Sequence, residues 1–219
     1  MCPPYVFRCN IVHISEGFLS YSSSLCGELD LSCLTALQFI GARFISGSRL
    51  VTSILLPPQS TSSITEVREE FLMNCEGLRH IDLGALKNVL EIQDMFMSGC
   101  SGITQLDVSP FSSVPVIPKN FLEGCTSLEE IDLTPLSQAQ NIDNYFMYGC
   151  TNLKSLDTSS LKNLRIVGSK FVGGASSLKT LNLGCCRAVK RIPDFFGSGW
   201  AALPVIDLSP LSHVTEIGS

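Results

Sequence analysis

One pattern of apolar and polar positions recurs along the chain about every 25 residues. Its clearest marker is phenylalanine, and the last five intervals between marker residues are each 25 residues long. The markers are Phe18, Phe44, Phe71, Phe96, Phe121, Phe146, Phe171 and Phe196. A fixed period of this size is the sequence signature of a solenoid, in which similar coils stack on one another.

Seven apolar columns appear when one copy is numbered from Leu78 as position 1. They fall at positions 1, 4, 6, 9, 12, 15 and 19, which in that copy are Leu78, Ile81, Leu83, Leu86, Val89, Ile92 and Phe96. Positions 4 to 6 alternate between inward and outward side chains, which is the spacing of a β-strand. Equivalent strands of successive copies therefore stack in parallel, about 4.8 Å apart.

The second half of each copy predicts the opposite wall of the solenoid. Ser-Pro or Thr-Pro closes several strands, because proline cannot donate a ladder hydrogen bond. Positions 16 to 21 are predicted to form a short helical turn, since Pro118 and Pro193 occupy position 16 and the first turn of a helix tolerates proline. Position 22 has the residue preference of a left-handed helix end. Its residues are Gly47, Asn74, Gly99, Gly124, Gly149, Gly174 and Gly199.

The repeat predicts a single solenoid domain over residues 1–219, with about eight copies. Copies are regular from residue 71 onward and looser over residues 11–70, where the segment 57–62 is expected to loop outward. Neither end carries a clear polar capping segment, although repeat arrays usually need such caps for solubility.

Composition excludes several classes of protein. Apolar residues make up 45% of the chain and charged residues 16%, which is typical of a folded chain rather than a disordered one. The net charge is −5, and no basic run predicts nucleic-acid binding. No apolar stretch is long enough to span a bilayer. The first residues, MCPPYVFRCNIVHI, lack the apolar region of a signal peptide.

Four of the ten cysteines share one column of the repeat. These are Cys75, Cys100, Cys125 and Cys150, and Ala175 and Trp200 occupy the same column in later copies. A column that accepts alanine and tryptophan is a packing column. Stacked side chains also run side by side rather than toward each other, so we expect free thiols. Cys186 falls in the apolar column of Leu86, and we expect Cys185 and Cys186 to be buried thiols rather than reactive ones.

The remaining metal and catalytic signals are weak. The pairs Cys2/Cys9 and Cys26/Cys33 are seven residues apart, whereas zinc ligands are more tightly spaced. His13, His80 and His213 are not at metal-binding distance from one another in sequence, and no catalytic or nucleotide-binding motif is present. The sequence predicts no metal, no cofactor and no enzymatic activity.

The repeated phrase GC-x-x-L-x-x-[IL]-D-L-[ST]-P-L-x-x-V-x-x-I-x-x-x-F resembles a leucine-rich repeat of the BspA-like class. The resemblance covers nearly the whole chain, with one departure. The column that usually holds a buried asparagine holds Leu34, Leu86, Phe111, Leu136, Leu161 and Leu211 instead. The resemblance implies an α/β fold, a curved solenoid with a parallel β-sheet on the concave face and short helical turns on the convex face. It also implies protein recognition.

Members of this class are often surface adhesins, which leaves the location open. If the chain is complete, the absence of a signal peptide predicts a cytoplasmic protein; if it is a fragment of an adhesin-type parent, it belongs to the cell surface. The leading hypothesis is a non-enzymatic protein-recognition module using the concave face. The alternative is a structural or self-assembling element, or an adhesin fragment, that associates end to end.

The candidate binding strip consists of nine outward-facing residues at positions 3 and 5, which are His80, Asp82, Gln105, Asp107, Glu130, Asp132, Asp157, Asn182 and Asp207. Position 5 holds Asp30, Leu55, Asp82, Asp107, Asp132, Asp157, Asn182 and Asp207, and position 3 includes Glu28, His80, Gln105 and Glu130. Stacked carboxylates repel one another, so their charge must be compensated by neighbouring groups or by a binding partner. One interpretation is local, through hydroxyls at position 7 (Ser109, Thr134, Ser159, Ser209) and water. The other is a basic segment of a protein partner or, as a weaker alternative, a cation.

Overall fold

Each coil contributes a short strand to one or both of two facing walls, and all paired strands are parallel. The computed structural model describes residues 10–219. In chain order the strands are β1 (His13–Ile14), β2 (Cys26–Asp30), β3 (Phe39–Ile40), β4 (Leu50–Leu55), β5 (Glu66–Val67), β6 (His80–Ile81), β7 (Val116–Ile117), β8 (Asn141–Ile142), β9 (Ser155–Asp157), β10 (Ile166–Val167), β11 (Thr180–Asn182), β12 (Arg191–Ile192) and β13 (Glu216–Ile217).

The strands of each wall pair only with their counterparts in neighbouring coils. The first wall contains the sheet β2-β4-β6 and the pair β9-β11. The second wall contains β1-β3-β5, β7-β8-β10 and β12-β13. All pairs are parallel, and their register joins equivalent repeat positions, as in Leu156 opposite Leu181. The stacked parallel strands predicted for positions 4 to 6 are therefore present in part: five coils form them, and they end at position 4 or 5. Positions 14 and 15 form a second ladder that the apolar pattern did not reveal.

Helical geometry occurs at a different place from the one predicted. Short 3-10 turns follow the first-wall strands, at positions 6 to 11 of the repeat. They span Leu83–Leu86, Ser109–Phe111, Thr134–Gln138, Gly184–Ala188 and Ser209–Leu211. In three of them the Ser-Pro or Thr-Pro step supplies proline to the first turn, where its missing N–H is not needed.

The helical turn predicted at positions 16 to 21 is wrong. Backbone φ is positive at positions 18, 20 and 22, for example at Met95 (60°), Met97 (52°) and Gly99 (75°). The Met95 and Gly99 amides donate to carbonyls of the next coil, and the Met97 amide donates to Phe71 of the preceding coil. A helix would direct its amides to carbonyls of its own coil. Here the backbone alternates between left-handed and right-handed residues, so successive amides point to the next coil and to the preceding coil in turn.

Position 22 has the predicted left-handed conformation throughout the column. φ there is positive at every residue, from 57° at Asn74 to 82° at Gly199. The prediction was therefore correct for the conformation and wrong for the helix that it was expected to end.

The phenylalanine column forms a continuous stack of rings through the core. Consecutive rings from Phe44 to Phe196 have centroids 5.1–6.0 Å apart and interplanar angles of 5–19°. Phe44 to Phe171 are fully or almost fully buried, and Phe18 and Phe196 at the ends are partly buried. The predicted burial of this column is confirmed.

The cysteine column adds a hydrogen-bond ladder beside the rings. Cys75, Cys100, Cys125 and Cys150 are buried free thiols, and each Sγ donates to the position-20 carbonyl of the preceding coil at 3.1–3.4 Å. Trp200 donates its indole N–H to the equivalent carbonyl, at Val172, over 3.1 Å. Residues in this column therefore serve as donors as well as packing groups, with Ala175 as the exception.

Burial of these thiols predicts a loss of stability at alkaline pH. Desolvation raises the pKa of Cys75 and Cys150 from 9.0 to about 12. Above pH 9 the unfolded chain loses thiol protons that the folded chain retains, so the free energy of unfolding should fall between pH about 9 and about 12. Denaturant titrations across this range should give a shallower fall for Cys150→Ala, by about one proton. An unchanged slope in the variant would contradict the assignment.

Candidate binding face

The outward side chains at positions 3 and 5 form one surface, called here the Asp-row face. The strand alternation creates it, because the neighbouring residues Ile81 and Leu83 point into the core and are only 6% and 1% exposed. All nine residues of the candidate strip are exposed on this face. They are His80, Asp82, Gln105, Asp107, Glu130, Asp132, Asp157, Asn182 and Asp207.

An open groove of about 770 Å³ runs along the Asp-row face across four coils. Seven of the nine residues line it, while Asn182 and Asp207 lie on the same face outside its lining. Ser155 also lines the groove and was missed in the sequence, where no feature sets it apart from other position-3 residues. Five lining residues carry carboxylates: Asp82, Asp107, Glu130, Asp132 and Asp157. Among the described lining residues there is no lysine or arginine.

The position-5 residues of the candidate strip also have a local structural role. One side-chain oxygen accepts the backbone N–H two residues ahead, at 2.8 Å from Asp82, Asp107, Asp132 and Asp207, and at 2.9 Å from Asp157. Asn182 makes the same bond at 2.9 Å with its amide oxygen. These Asx turns start the turn that follows the strand, and the Asp-x-Ser/Thr phrase is a recognisable signal for them.

Hydroxyl groups at position 7 complete part of this local network. Ser109 Oγ donates to Asp107 over 2.9 Å, and Ser209 Oγ donates to Asp207 over 3.0 Å. Hydrogen bonds from the Thr134 side chain and backbone lower the pKa of Asp132, and those from the Ser209 backbone and side chain lower the pKa of Asp207. Hydroxyl groups at position 7 therefore do hydrogen-bond to Asp107, Asp132 and Asp207, as the local interpretation predicts. At Asp132 and Asp207 the hydrogen bonds favour the ionised carboxylate, so the negative charge remains on the surface.

Regular strand pairing is interrupted beneath the groove. The ladder of the first wall stops after β6 and resumes at β9, and within residues 10–219 no strand is formed at 105–107 or 130–132. These coils remain joined at one edge, where the Glu129 amide donates to Thr104 and the Lys154 amide donates to Glu129. Repulsion between the stacked carboxylates of Asp107 and Asp132 acts to separate these coils.

The border of the face differs from its centre in charge balance. Lys154 Nζ lies 2.5 Å from Glu129 Oε2, so this position-2 carboxylate has a cationic partner in the next coil. Within the groove, the neutral amide of Gln105 donates to Glu130 over 3.4 Å and does not balance the charge of this carboxylate. The negative charge is therefore concentrated along the row and not along its edge.

Within residues 10–219, no group of three or more His, Cys, Asp or Glu side chains has an arrangement suited to holding a metal ion. The Cys2/Cys9 pair considered in the sequence lies outside the described residues. In the described part of the chain, no helix has both the length and the hydropathy to cross a membrane.

Solved structures with the same architecture are bacterial leucine-rich repeat proteins. The chain superposes on one from Bacteroides ovatus with a TM-score of 0.54 and 18% identity, covering 97% of this chain and 74% of that one. A T. pallidum leucine-rich repeat protein gives a TM-score of 0.50 and 15% identity, over 92% of this chain and 76% of that one. One from Eubacterium ventriosum gives 0.50 and 18%, over 91% and 57%. At these identities the similarity establishes the fold alone.

Sequence comparison gives the family. Comparison with curated proteins found no significant match. The sequence profile of the BspA type leucine rich repeat region matches residues 38–179 in six copies, which is more than half of the chain. The chain therefore belongs to the BspA-type leucine-rich repeat family.

Proposed function

We propose that this protein is a recognition module whose Asp-row face binds a basic segment of a protein partner. The observation that carries the proposal is the open groove with five carboxylates and, among its described lining residues, no lysine or arginine. Leucine-rich repeat proteins typically take part in protein interactions, which is consistent with this use of the face. The proposal assigns no chemical reaction to the chain.

The size of the groove sets the length of the segment that it accommodates. Four coils about 4.8 Å apart span about 14 Å. An extended chain advances about 3.3–3.6 Å per residue, so four or five residues cover the groove. Lysine or arginine side chains on such a segment reach carboxylates of successive coils with their flexible stems.

Because the carboxylates are exposed, the attraction is screened by salt. We therefore expect the affinity for a basic peptide to fall steeply as ionic strength rises. The probe is a synthetic lysine-rich peptide with a fluorescent label, measured by anisotropy against a glutamate-rich peptide of equal length.

The decisive variant is Asp107→Asn combined with Asp132→Asn. Each exposed ion pair contributes about 0.2–1 kcal/mol, so the loss of two should weaken binding by about 2- to 30-fold. Asparagine retains the Asx turn, as Asn182 demonstrates with its 2.9 Å bond to the Gly184 amide. The free energy of unfolding should therefore hold or rise.

A matched control removes two exposed carboxylates from elsewhere on the molecule. Glu69→Gln with Glu91→Gln gives the same change in net charge, and both residues lie away from the groove lining. This control should bind the peptide almost like the unmodified protein. If both double variants weaken binding equally, only net charge matters and the face is not the site. If neither does, the binding face lies elsewhere.

The last coil favours the alternative of end-to-end association. It exposes apolar side chains, with Val205 80%, Leu208 55% and Ile217 76% accessible. Association through this end predicts a mass that grows with concentration in sedimentation equilibrium and a smaller growth in Leu208→Asp. A constant monomer mass in both proteins would exclude this function.

A further inference from the structure

Four departures from the repeat lie together at one place near the C-terminal end of the solenoid. Thr158 stands in a position-6 column otherwise filled by leucine or valine, as at Val108 and Leu183. Ser160 and Cys185 stand at position 8, where other regular copies have proline or alanine. Cys186 stands in the position-9 column of leucine and phenylalanine. Because equivalent positions stack, residues 158–160 lie against the turn Gly184–Ala188 of the next coil.

The two cysteines are in contact in the core. Their Sγ atoms are 3.5 Å apart, and the residues are only 1% and 0% exposed. Thr158 Oγ1 accepts the Cys185 amide at 3.3 Å and donates to the Asn182 carbonyl at 2.5 Å. Ser160 Oγ is buried without a hydrogen-bond partner in the described residues. Two thiols and two hydroxyls thus replace apolar groups in an otherwise apolar interior.

A cleft opens beside this cluster. It has a volume of about 360 Å³ and is lined by Ser159, Lys162, Gly184 and Arg187. Gly184 and Arg187 directly flank the two cysteines in the 3-10 turn, and a Cβ placed on Gly184 would lie 2.8 Å from Ser159 Cα. Lys162 and Arg187 are exposed, so the cleft beside the turn is electropositive.

We infer that Cys185 and Cys186 form a redox-active dithiol that a small hydroperoxide converts reversibly into a disulfide between adjacent residues. The ligand class follows from burial. Neither cysteine lines the cleft, so bulky oxidants are excluded, and only a molecule about the size of hydrogen peroxide could pass from the cleft to the sulfur atoms. This role is separate from the Asp-row face and does not depend on the function proposed for it.

The reaction balances with the pair as the only electron donor. The Cys185 thiolate attacks one peroxide oxygen, the O–O bond breaks, and the departing hydroxide takes up a proton to form water. The resulting sulfenic acid is attacked by the Cys186 sulfur, which forms the S–S bond, loses its proton and releases a second water. Two thiols lose two electrons, and one peroxide is reduced to two waters.

The environment distinguishes the two thiols from the cysteine column. The hydrogen bond from Cys186 lowers the pKa of Cys185 despite its burial. The hydrogen bond with Cys185 and desolvation raise the pKa of Cys186, which makes it the protonated partner. Burial raises the pKa of Cys100 and Cys125 well above the ordinary value, so these thiols are internal controls of low reactivity.

Geometry also predicts that the disulfide is easily reduced. Adjacent Cα atoms across a trans peptide are about 3.8 Å apart, whereas disulfides usually join Cα atoms about 4.4–6.8 Å apart. Closing the pair therefore strains the turn Gly184–Ala188, and strained disulfides are the labile ones.

The test treats the folded, fully reduced 219-residue chain with a small excess of hydrogen peroxide, followed by tryptic mapping without reduction. Cleavage after Lys179 and Arg187 places both cysteines in one peptide. We expect this peptide to lose two hydrogen atoms, the peptides carrying Cys100 and Cys125 to remain unchanged, and dithiothreitol to reverse the change. A pair that stays reduced, or that oxidises no faster than Cys125, overturns the inference.

Two variants assign the steps and guard against a folding artefact. Cys186→Ser should stop at a sulfenic acid on Cys185, which dimedone traps when the oxidised protein is denatured in its presence, while Cys185→Ser should leave Cys186 unmodified. Cooperative unfolding of each variant before oxidation establishes that it is folded. Absence of a dimedone adduct on Cys185 in Cys186→Ser would contradict the inference.

Discussion

Replacing Phe146 with alanine is expected to lower the free energy of unfolding by about 3–5 kcal/mol. Phe146 is fully buried, and its ring stacks between Phe121 at 6.0 Å and Phe171 at 5.4 Å. The loss has two parts, the transfer free energy of the ring and the free-energy cost of the cavity that remains. Backbone hydrogen bonds hold the neighbouring coils in place, so they cannot move together to fill it. Equilibrium denaturation in urea measures it.

Phe195 provides a matched control one residue outside the stack. It is 55% exposed, so Phe195→Ala should cost less than about 1 kcal/mol. Similar losses for the two variants would mean that the stack contributes no more than a surface ring. A loss below about 1 kcal/mol for Phe146→Ala would contradict the expected contribution of the phenylalanine column to the free energy of unfolding.

The second large effect concerns Gly149, whose φ is 75°. Gly149→Val should destabilise the protein by about 2 kcal/mol, because a left-handed backbone costs about 1–2 kcal/mol for an ordinary residue and more for a β-branched one. Gly149→Asn should cost less than about 1 kcal/mol, since asparagine adopts this conformation readily and Asn74 has φ 57° in the same column.

Steric crowding at Cβ does not contribute to the difference in stability expected between Gly149→Val and Gly149→Asn. A Cβ on Gly149 would lie 3.9 Å from the nearest atoms of Gly124, which is an ordinary contact. The difference between the valine and asparagine variants in a denaturant titration therefore reports backbone strain. Equal stabilities of the two variants would refute the role assigned to φ.

Much of the fold could be read from the sequence because the same physical demand recurs in every coil. A column such as Phe71 to Phe171 can be conserved in register only if the residues share one environment, and the alternation at positions 4 to 6 specifies which side chains face out. The exposed strip from His80 to Asp207 followed from that alternation alone. The family resemblance was confirmed for the same reason.

The opposite wall could not be read in this way. Left-handed residues at positions 18 and 20 include Met95, Met97 and Val172, whose side chains give no sign of positive φ. Their conformation is imposed by hydrogen bonds to neighbouring coils, which override local preference. Proline at position 16 was compatible with a helix and with the observed backbone, so it did not discriminate between them.

Which residues line the groove also depends on how the backbones of adjacent coils pair. Asp82 to Asp157 line it, whereas Asn182, in the same column, does not. This difference arises where β9 and β11 pair regularly, while the coils at 105–107 and 130–132 do not. Column membership predicts which way a side chain points, and the spacing of adjacent backbones decides whether neighbouring side chains enclose a space.

The alternating backbone at positions 18, 20 and 22 makes the coils interchangeable units. The edge that each coil presents to the next coil is complementary to the edge that it presents to the preceding one. The Met95 amide donates to Lys119 of the next coil, and the Met97 amide donates to Phe71 of the preceding coil. Removing one whole period, such as residues 121–145, joins Asn120 at position 18 to Phe146 at position 19 and restores the register of all later coils. A deletion one residue shorter leaves the joined coil one residue too long, and the extra residue must then be accommodated within that coil, as in the longer coils between Phe18, Phe44 and Phe71. Duplication or loss of whole 25-residue periods in the gene therefore changes the length of the solenoid and leaves the packing of its core unchanged.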